Sequence, residues 1–200
     1  MIKLILFDMG GIIHNNTSGG YIDYLCSVSG KSKDEVIGIV KPITTKLSIS
    51  AIELTAAEKL MAEQLGIRME EIRFIDYYKE NLKINLQNVE FIRLLKKRYK
   101  IGSLTNNEEN RYRYVLSLLG SGFFDYDFPS SRMHCRKPDK RVYAFVKENT
   151  GFEYNEMLFI EDTDENLSIA RELGINTILF DTLEGLKENM KKLGIKTDEG

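Results

Sequence analysis

Four polar groups in this 200-residue chain stand where short apolar runs end, and their types belong to one chemistry. The run LILF stops at Asp8, and the glycines Gly10 and Gly11 follow one residue later. The segment YKIGSLT ends in Thr105, with Asn106 and Asn107 next. The loop 130–137 closes on Arg136 and Lys137, with Pro138 next, and MLFI leads into Glu161, Asp162, Thr163 and Asp164. A carboxylate can attack phosphorus and form an aspartyl-phosphate. Attacker and phosphate are both anionic, so positive charge must bridge them. Mg²⁺ suits this role, because it prefers oxygen ligands and keeps water and substrate phosphate in its shell. Asp8 and Asp162 would supply hard oxygens, Lys137 would neutralise the transferring group, and Thr105 with backbone N–H groups would hold phosphate oxygens. Taken singly, each has a plainer reading. Asp8 would be a turn residue, Thr105 a helix cap, Lys137 an ordinary helix-start residue, and the acidic run a solvated helix start. Their shared place at the ends of apolar runs is what joins them.

The elements that must position these groups follow from periodicity. Besides Ile2–Phe7, short strand-like runs cover Tyr99–Thr105, Tyr126–Pro129, Met157–Glu161 and Asn176–Asp181. Helical patterns lie between them at Val89–Tyr99, Arg111–Leu119, Lys140–Thr150, Asn166–Leu173 and Leu183–Leu193, with Gly120, Gly151 and Gly174 at C-cap positions. Alternation of strand and helix predicts an α/β fold, a doubly wound parallel sheet covered on both faces. Ligands of such sheets bind at the carboxyl ends of the strands. Residues 14–87 break the rhythm, with helical patterns at Tyr21–Ser29, Lys33–Val40, Ile52–Leu65 and Met69–Leu82. They read as a helical insertion after the first strand, leaving 1–13 and 88–200 as the core.

Composition narrows the function classes. Apolar residues make up 42% of the chain and charged residues 29%, enough for a core and a solvated surface. A formal net charge of −2 argues against nucleic acid or an anionic membrane as partner. Cys26 and Cys135 have no ligand-like spacing, so neither a disulfide framework nor a zinc site is expected. The apolar run Ile2–Phe7 is short and broken by Lys3, which fits neither a signal segment nor a membrane span. The expected setting is cytoplasmic. Nothing in the patterning reports an oligomeric state.

In these stretches the chain resembles the haloacid dehalogenase-like (HAD) hydrolase superfamily. LILFDMGGII is similar to its first motif, LTNN to its second, RKPD to its third and FIEDTDENLSIARELGI to its fourth, in the family's order. The resemblance implies a Rossmann-like core with the nucleophile strand central and a C1-type cap at 14–87. It implies Asp8 as nucleophile and Mg²⁺ ligand, the Gly10 carbonyl as a second ligand and Asp162 as the metal carboxylate of the fourth motif. Thr105, with Asn106 beside it and the Gly10–Gly11 turn, would bind phosphate, and Lys137 would be the third-motif lysine. Asn166 stands where many members carry another Asp, and Glu161 where many have Gly or Asp.

Phosphatases of this family usually carry a second Asp two residues after the nucleophile, where this chain has Gly10. The carbonyl remains and the acid/base side chain does not. Positioned acid/base groups contribute roughly 10²–10⁴-fold, so the expectation is a slow or selective phosphomonoesterase acting on a small phosphorylated metabolite. A DxG first motif also resembles the branch of sugar-1-phosphate phosphatases. His14 follows the motif closely and is one substitute acid, and His134 in the third-motif loop is another. Two other readings stand beside this one: a metal-independent 2-haloacid dehalogenase, and a decayed site kept for binding phosphate or a protein. Within 14–87, the polar stretch Asn15–Gly20 suits a hinge, Lys41 and Lys46 suit a second anionic group, and Tyr77 and Tyr78 suit packing.

Overall fold

A computed structural model of the protein describes residues 1–197. The end of the expected core segment, 198–200, lies outside those residues. The chain begins with β1 (Leu4–Phe7), then α1 (Ser18–Ser29), α2 (Lys33–Ser48), α3 (Leu54–Leu65), α4 (Phe74–Asn81) and α5 (Leu86–Leu95). It continues with β2 (Lys100–Thr105), α6 (Glu109–Leu119), β3 (Tyr126–Pro129), α7 (Ser130–Met133) and α8 (Lys140–Thr150). It ends with β4 (Met157–Glu161), α9 (Asp164–Glu172), β5 (Asn176–Leu179) and α10 (Leu183–Lys192). The strands form one parallel sheet in the order β3-β2-β1-β4-β5. The α/β, Rossmann-like architecture is therefore as the alternation of patterns requires.

Side chains that alternate along a strand leave on opposite faces of the sheet. Ile5, Phe7, Ile101, Leu158 and Ile160 pack with α5, α6 and α10. Leu4, Leu6, Leu104, Met157 and Phe159 pack with α8 and α9. All four residues of β1 are fully buried. Burial of side chains of this size contributes roughly 1.5–3 kcal/mol each, which holds the strand bearing Asp8 in the middle of the sheet. Among the described residues no helix is long and apolar enough to cross a membrane.

Helices α1–α4 have a separate apolar cluster that includes Tyr21, Leu25, Val36, Val40, Met61 and Phe74. The two chain crossings that join this cluster to the sheet are laced together. Asn85 N donates to Ile13 O at 2.8 Å, Asn15 N to Lys83 O at 3.1 Å, and Asn88 Nδ2 to Ile12 O at 2.7 Å.

Several local outcomes differ from the patterns. Helix α2 runs through Pro42 to Ser48 instead of ending near Val40. Val36, Val40, Ile43 and Leu47 are buried along one side of it, whereas Pro42 is exposed, so the carbonyl that proline leaves unpaired can meet water. The polar stretch from Asn15 is already helical at Ser18. The pattern at 69–82 splits into a 3-10 turn, Met69–Glu71, and α4, with Arg73 at φ 44° between them. Tyr21 and Tyr24 donate to the Ile72 and Glu71 carbonyls at that break, at 2.7 and 2.8 Å. The loop after β3 opens as the short helix α7.

Candidate active site

Phe7 pairs with Ser103 on one side and Ile160 on the other, so β1, β2 and β4 leave the sheet at one edge. Asp8 extends β1 by one bond, its N–H donating to Ile160 O at 2.9 Å. Thr105 and Glu161 are the last residues of β2 and β4, and Lys137 arrives in the loop before α8. Asp8, Thr105, Lys137 and Glu161 are all buried polar residues at this edge.

Lys137 is 2% exposed. Its Nζ donates to Asp8 Oδ1 at 2.8 Å and to Glu161 Oε2. Burial opposes the ammonium, but Asp8 and Glu161 outweigh it and hold Lys137 above the ordinary lysine range. Burial, reinforced by the Asp8 charge, pushes the Glu161 carboxyl up against the pull of Lys137. Taking three ions out of water costs several kcal/mol for each, and their mutual pairing offsets that. Asn106 braces the arrangement: Oδ1 accepts from Lys137 N at 2.8 Å, and Nδ2 donates to Lys137 O at 3.1 Å.

Ligand oxygens of Asp8, Glu161 and Asp162 lie within 4.8 Å of one another. Asp8 and Glu161 each give one oxygen to Lys137 and keep the other, and Glu161 Oε1 accepts from Thr163 N at 3.1 Å. Three carboxylates against one ammonium leave a net negative, oxygen-only seat, a donor set that fits Mg²⁺. Gly11 supports this seat. Its φ is 74°, and a Cβ there would fall 2.0 Å from Asp162 Oδ2. Gly10 is different: a Cβ there would meet Asp8 Oδ2 at 3.7 Å, an ordinary contact.

These groups share a cavity of about 230 Å³, lined by Asp8, Gly10, Thr105, Asn106, Lys137 and Asp162. Glu161, Asn166 and His14 border it too, while Gly11 stands behind Asp162. His14 is buried, with Nδ1 2.7 Å from Asn15 O and Nε2 3.3 Å from Tyr78 Oη. A nitrogen facing a carbonyl must carry the proton, so Nε2 accepts from the tyrosine. Burial lowers the His14 pKa, although Asn15 and Asp8 pull the other way. The ring is therefore held neutral with both nitrogens engaged, which suits a structural role. His134 lies outside this cavity and faces Ile49 O at 3.2 Å.

Tyr78, Arg111 and Arg136 also line the cavity. The Tyr77-Tyr78 pair reads as packing from its sequence, and Tyr77 does pack on Tyr21 and Tyr24. Tyr78 both packs and reaches the site. Arg111 sits in the first turn of α6, where an arginine carries no signal beyond an exposed helix start. Only the approach of α4 and α1 encloses it.

A family model for haloacid dehalogenase-like hydrolase matches residues 2–174. The chain is 32% identical over 146 residues to bifunctional epoxide hydrolase 2 of Sus scrofa, a match covering 68% of this chain and 26% of that protein. A match to the Rattus norvegicus protein of the same name covers 20% of its length, so this chain spans about a quarter or less of these relatives. Among solved structures it is similar to the HAD family enzyme bt-2542 of Bacteroides thetaiotaomicron, in complex with magnesium and inorganic phosphate. That match has a TM-score of 0.79 at 21% identity, over 93% of this chain and 99% of that one. It is also similar to L-2-haloacid dehalogenase of Xanthobacter autotrophicus, with a TM-score of 0.65 at 16% identity, over 98% and 85% of the two chains.

Proposed function

The chain belongs to the haloacid dehalogenase-like hydrolase family, and on that premise we propose that it is a Mg²⁺-dependent phosphomonoesterase acting on a small phosphorylated metabolite. The observation that carries this reading is the placement of the Lys137 ammonium between Asp8 and Glu161, with Asp162 completing an acidic seat beside them. Asp8, Asp162 and the Gly10 carbonyl would hold the ion, with Glu161 at its edge. When bound, Mg²⁺ neutralises phosphate oxygens and lowers the repulsion between two anions.

Asp8 Oδ1 is held by Lys137, so Oδ2 is the attacking oxygen. It forms a bond to phosphorus as the ester P–O bond breaks, leaving an aspartyl-phosphate and an alcohol. With glycine at position 10, the departing oxygen takes its proton from water. A second water then cleaves the acyl phosphate, releasing inorganic phosphate and restoring Asp8. Lys137 balances charge throughout, and Thr105 with backbone N–H groups grips the phosphate. Esters with good leaving groups are the preferred substrates, because they depend least on a proton donor.

Residues 14–87 act as a cap over this edge, with 1–13 and 88–200 as the core. The separate apolar cluster of α1–α4 supports that division, and a cap would exclude water from the reaction. The acidic seat weighs against a metal-independent dehalogenase, whose chemistry does not use it. The test is phosphate release from sugar phosphates, nucleotides and acyl phosphates, with and without Mg²⁺. Release should need Mg²⁺ and vanish in Asp8→Asn. Sustained release by Asp8→Asn, or halide release from haloacetates without Mg²⁺, would overturn the assignment.

A further inference from the structure

A second cavity, of about 320 Å³, opens between α1, α2 and the segment after β2. It adjoins the phosphate site, because Asn106, Arg111 and Arg136 line both. Its walls are apolar where Tyr21, Ile37, Val40 and Phe74 face in, and basic where Lys41, Arg111 and Arg136 do.

The acidic side chain on this wall is Glu108, and it is already engaged. It caps α6, accepting from Asn110 N at 2.9 Å, from Asn110 Nδ2 at 3.1 Å and from Arg111 N at 2.5 Å. Arg136 donates to a neutral partner, Thr45 Oγ1, at 3.0 Å. Arg111 is the most distinctive group. Its guanidinium lies over Phe74, 3.5 Å from the ring centroid, and 4.7 Å from that of Tyr78. Nη2 donates to Phe74 O at 3.1 Å, while the buried Nε has no hydrogen-bond partner among the described residues. A guanidinium positioned by aromatic rings presents a planar fork suited to a carboxylate or phosphate.

Building on the phosphomonoesterase reading, we propose that the substrate has an anion at each end: a phosphomonoester whose apolar body carries a second anionic group, which Arg111, with Arg136 and Lys41, binds in this cavity. The second group is a carboxylate or another phosphate. The phosphoryl end lies against Asp8 and Lys137, and the apolar body spans the wall between the two sites. Substrate choice then rests on the face of α6 as well as on the helices above it.

Matched phosphonates, which cannot be hydrolysed, test this by calorimetric titration of the full chain in Mg²⁺. Propylphosphonate is compared with phosphonopropionate and ethylene bisphosphonate, and benzylphosphonate with para-(phosphonomethyl)benzoate and para-xylylene bisphosphonate. In at least one set a doubly anionic member should bind roughly tenfold to a hundredfold more tightly, the range expected for charged hydrogen bonds. Whether the carboxylate or the bisphosphonate leads identifies the second group. Arg111→Gln should erase most of that ratio and Arg111→Lys part of it, with melting curves confirming that both variants fold. Equal affinity within both sets, failure of every phosphonate to bind, or a preference untouched in folded Arg111→Gln would overturn the proposal. The matching phosphate esters separate the two readings. Preference without hydrolysis removes the phosphomonoesterase and leaves the subsite. Hydrolysis without preference does the reverse.

Discussion

Replacing Gly10 by aspartate should add a catalytic group without disturbing the fold. A Cβ at this position meets Asp8 Oδ2 at 3.7 Å, and Gly10 is not among the glycines at positive φ. The new carboxylate would stand beside Asp8 Oδ2, within reach of an ester held against that oxygen. Two carboxylates about 4 Å apart repel by about 4 kcal/mol at an effective dielectric near 20. Removing a glycine from the unfolded chain returns about 0.4–1 kcal/mol. Metal-free Gly10→Asp should therefore be less stable than the wild type by about 3 kcal/mol, and Mg²⁺ should restore most of the loss. In the loaded enzyme the anionic phosphate, arriving with the substrate, raises the new carboxyl, so that it carries a proton to donate. A positioned general acid contributes roughly 10²–10⁴-fold. The expected gain in kcat/KM is about 10²-fold for alkyl phosphates and under about tenfold for p-nitrophenyl phosphate, whose leaving group departs without a proton. The assay is kcat/KM across aryl and alkyl phosphates plotted against leaving-group pKa. This parameter ends at the first irreversible step, so it is blind to how fast the aspartyl-phosphate breaks down. The wild type should give a steep line and Gly10→Asp a flatter one. A variant that melts like the wild type in Mg²⁺ but keeps the wild-type slope would refute the reasoning.

Three further perturbations test the site. Lys137→Met leaves Asp8 and Glu161 buried beside each other without their cation, which should cost about 3–5 kcal/mol in urea unfolding; adding Glu161→Gln should recover part of it. Gly11→Ala forces a Cβ into the left-handed region and against Asp162 Oδ2, so it should lose about 1–2 kcal/mol of stability and shrink the rise in melting temperature that Mg²⁺ produces. His14→Gln should keep the shape of the wild-type pH–rate profile between about pH 5 and 8, because both ring nitrogens are engaged; loss of one limb would return His14 as an acid or base.

Much of the architecture was legible in the chain. Tyr126–Pro129, Met157–Glu161 and Lys140–Thr150 have the same limits in pattern and in structure. Their apolar spacing depends only on local geometry, period 2 for strands and 3.6 for helices. The polar residues at the strand ends were legible for a related reason. In a parallel sheet every strand delivers its last residue to the same edge, so Asp8, Thr105 and Glu161 shared that edge once the alternation was seen, while the sheet order that sets β2 and β4 on either side of β1 came from the structure. The run through Pro42 was not legible, because a local rule was overridden by burial of Val36, Val40, Ile43 and Leu47.

What sequence determined by itself, then, is the α/β alternation, the residue types at the sheet's carboxyl edge and the missing side chain at position 10. Tertiary structure alone decided the charge state and the shape of the site. Whether Lys137 is a surface amine or a buried cation between two acids depends on residues 129 and 24 positions away. Whether Arg111 is a solvated helix-start residue or a half-satisfied guanidinium in a cavity depends on Phe74 and Tyr78 closing over it. Periodicity records which face of an element is apolar. Desolvation and pairing energies arise only when distant elements exclude water together, and no local pattern encodes that distance.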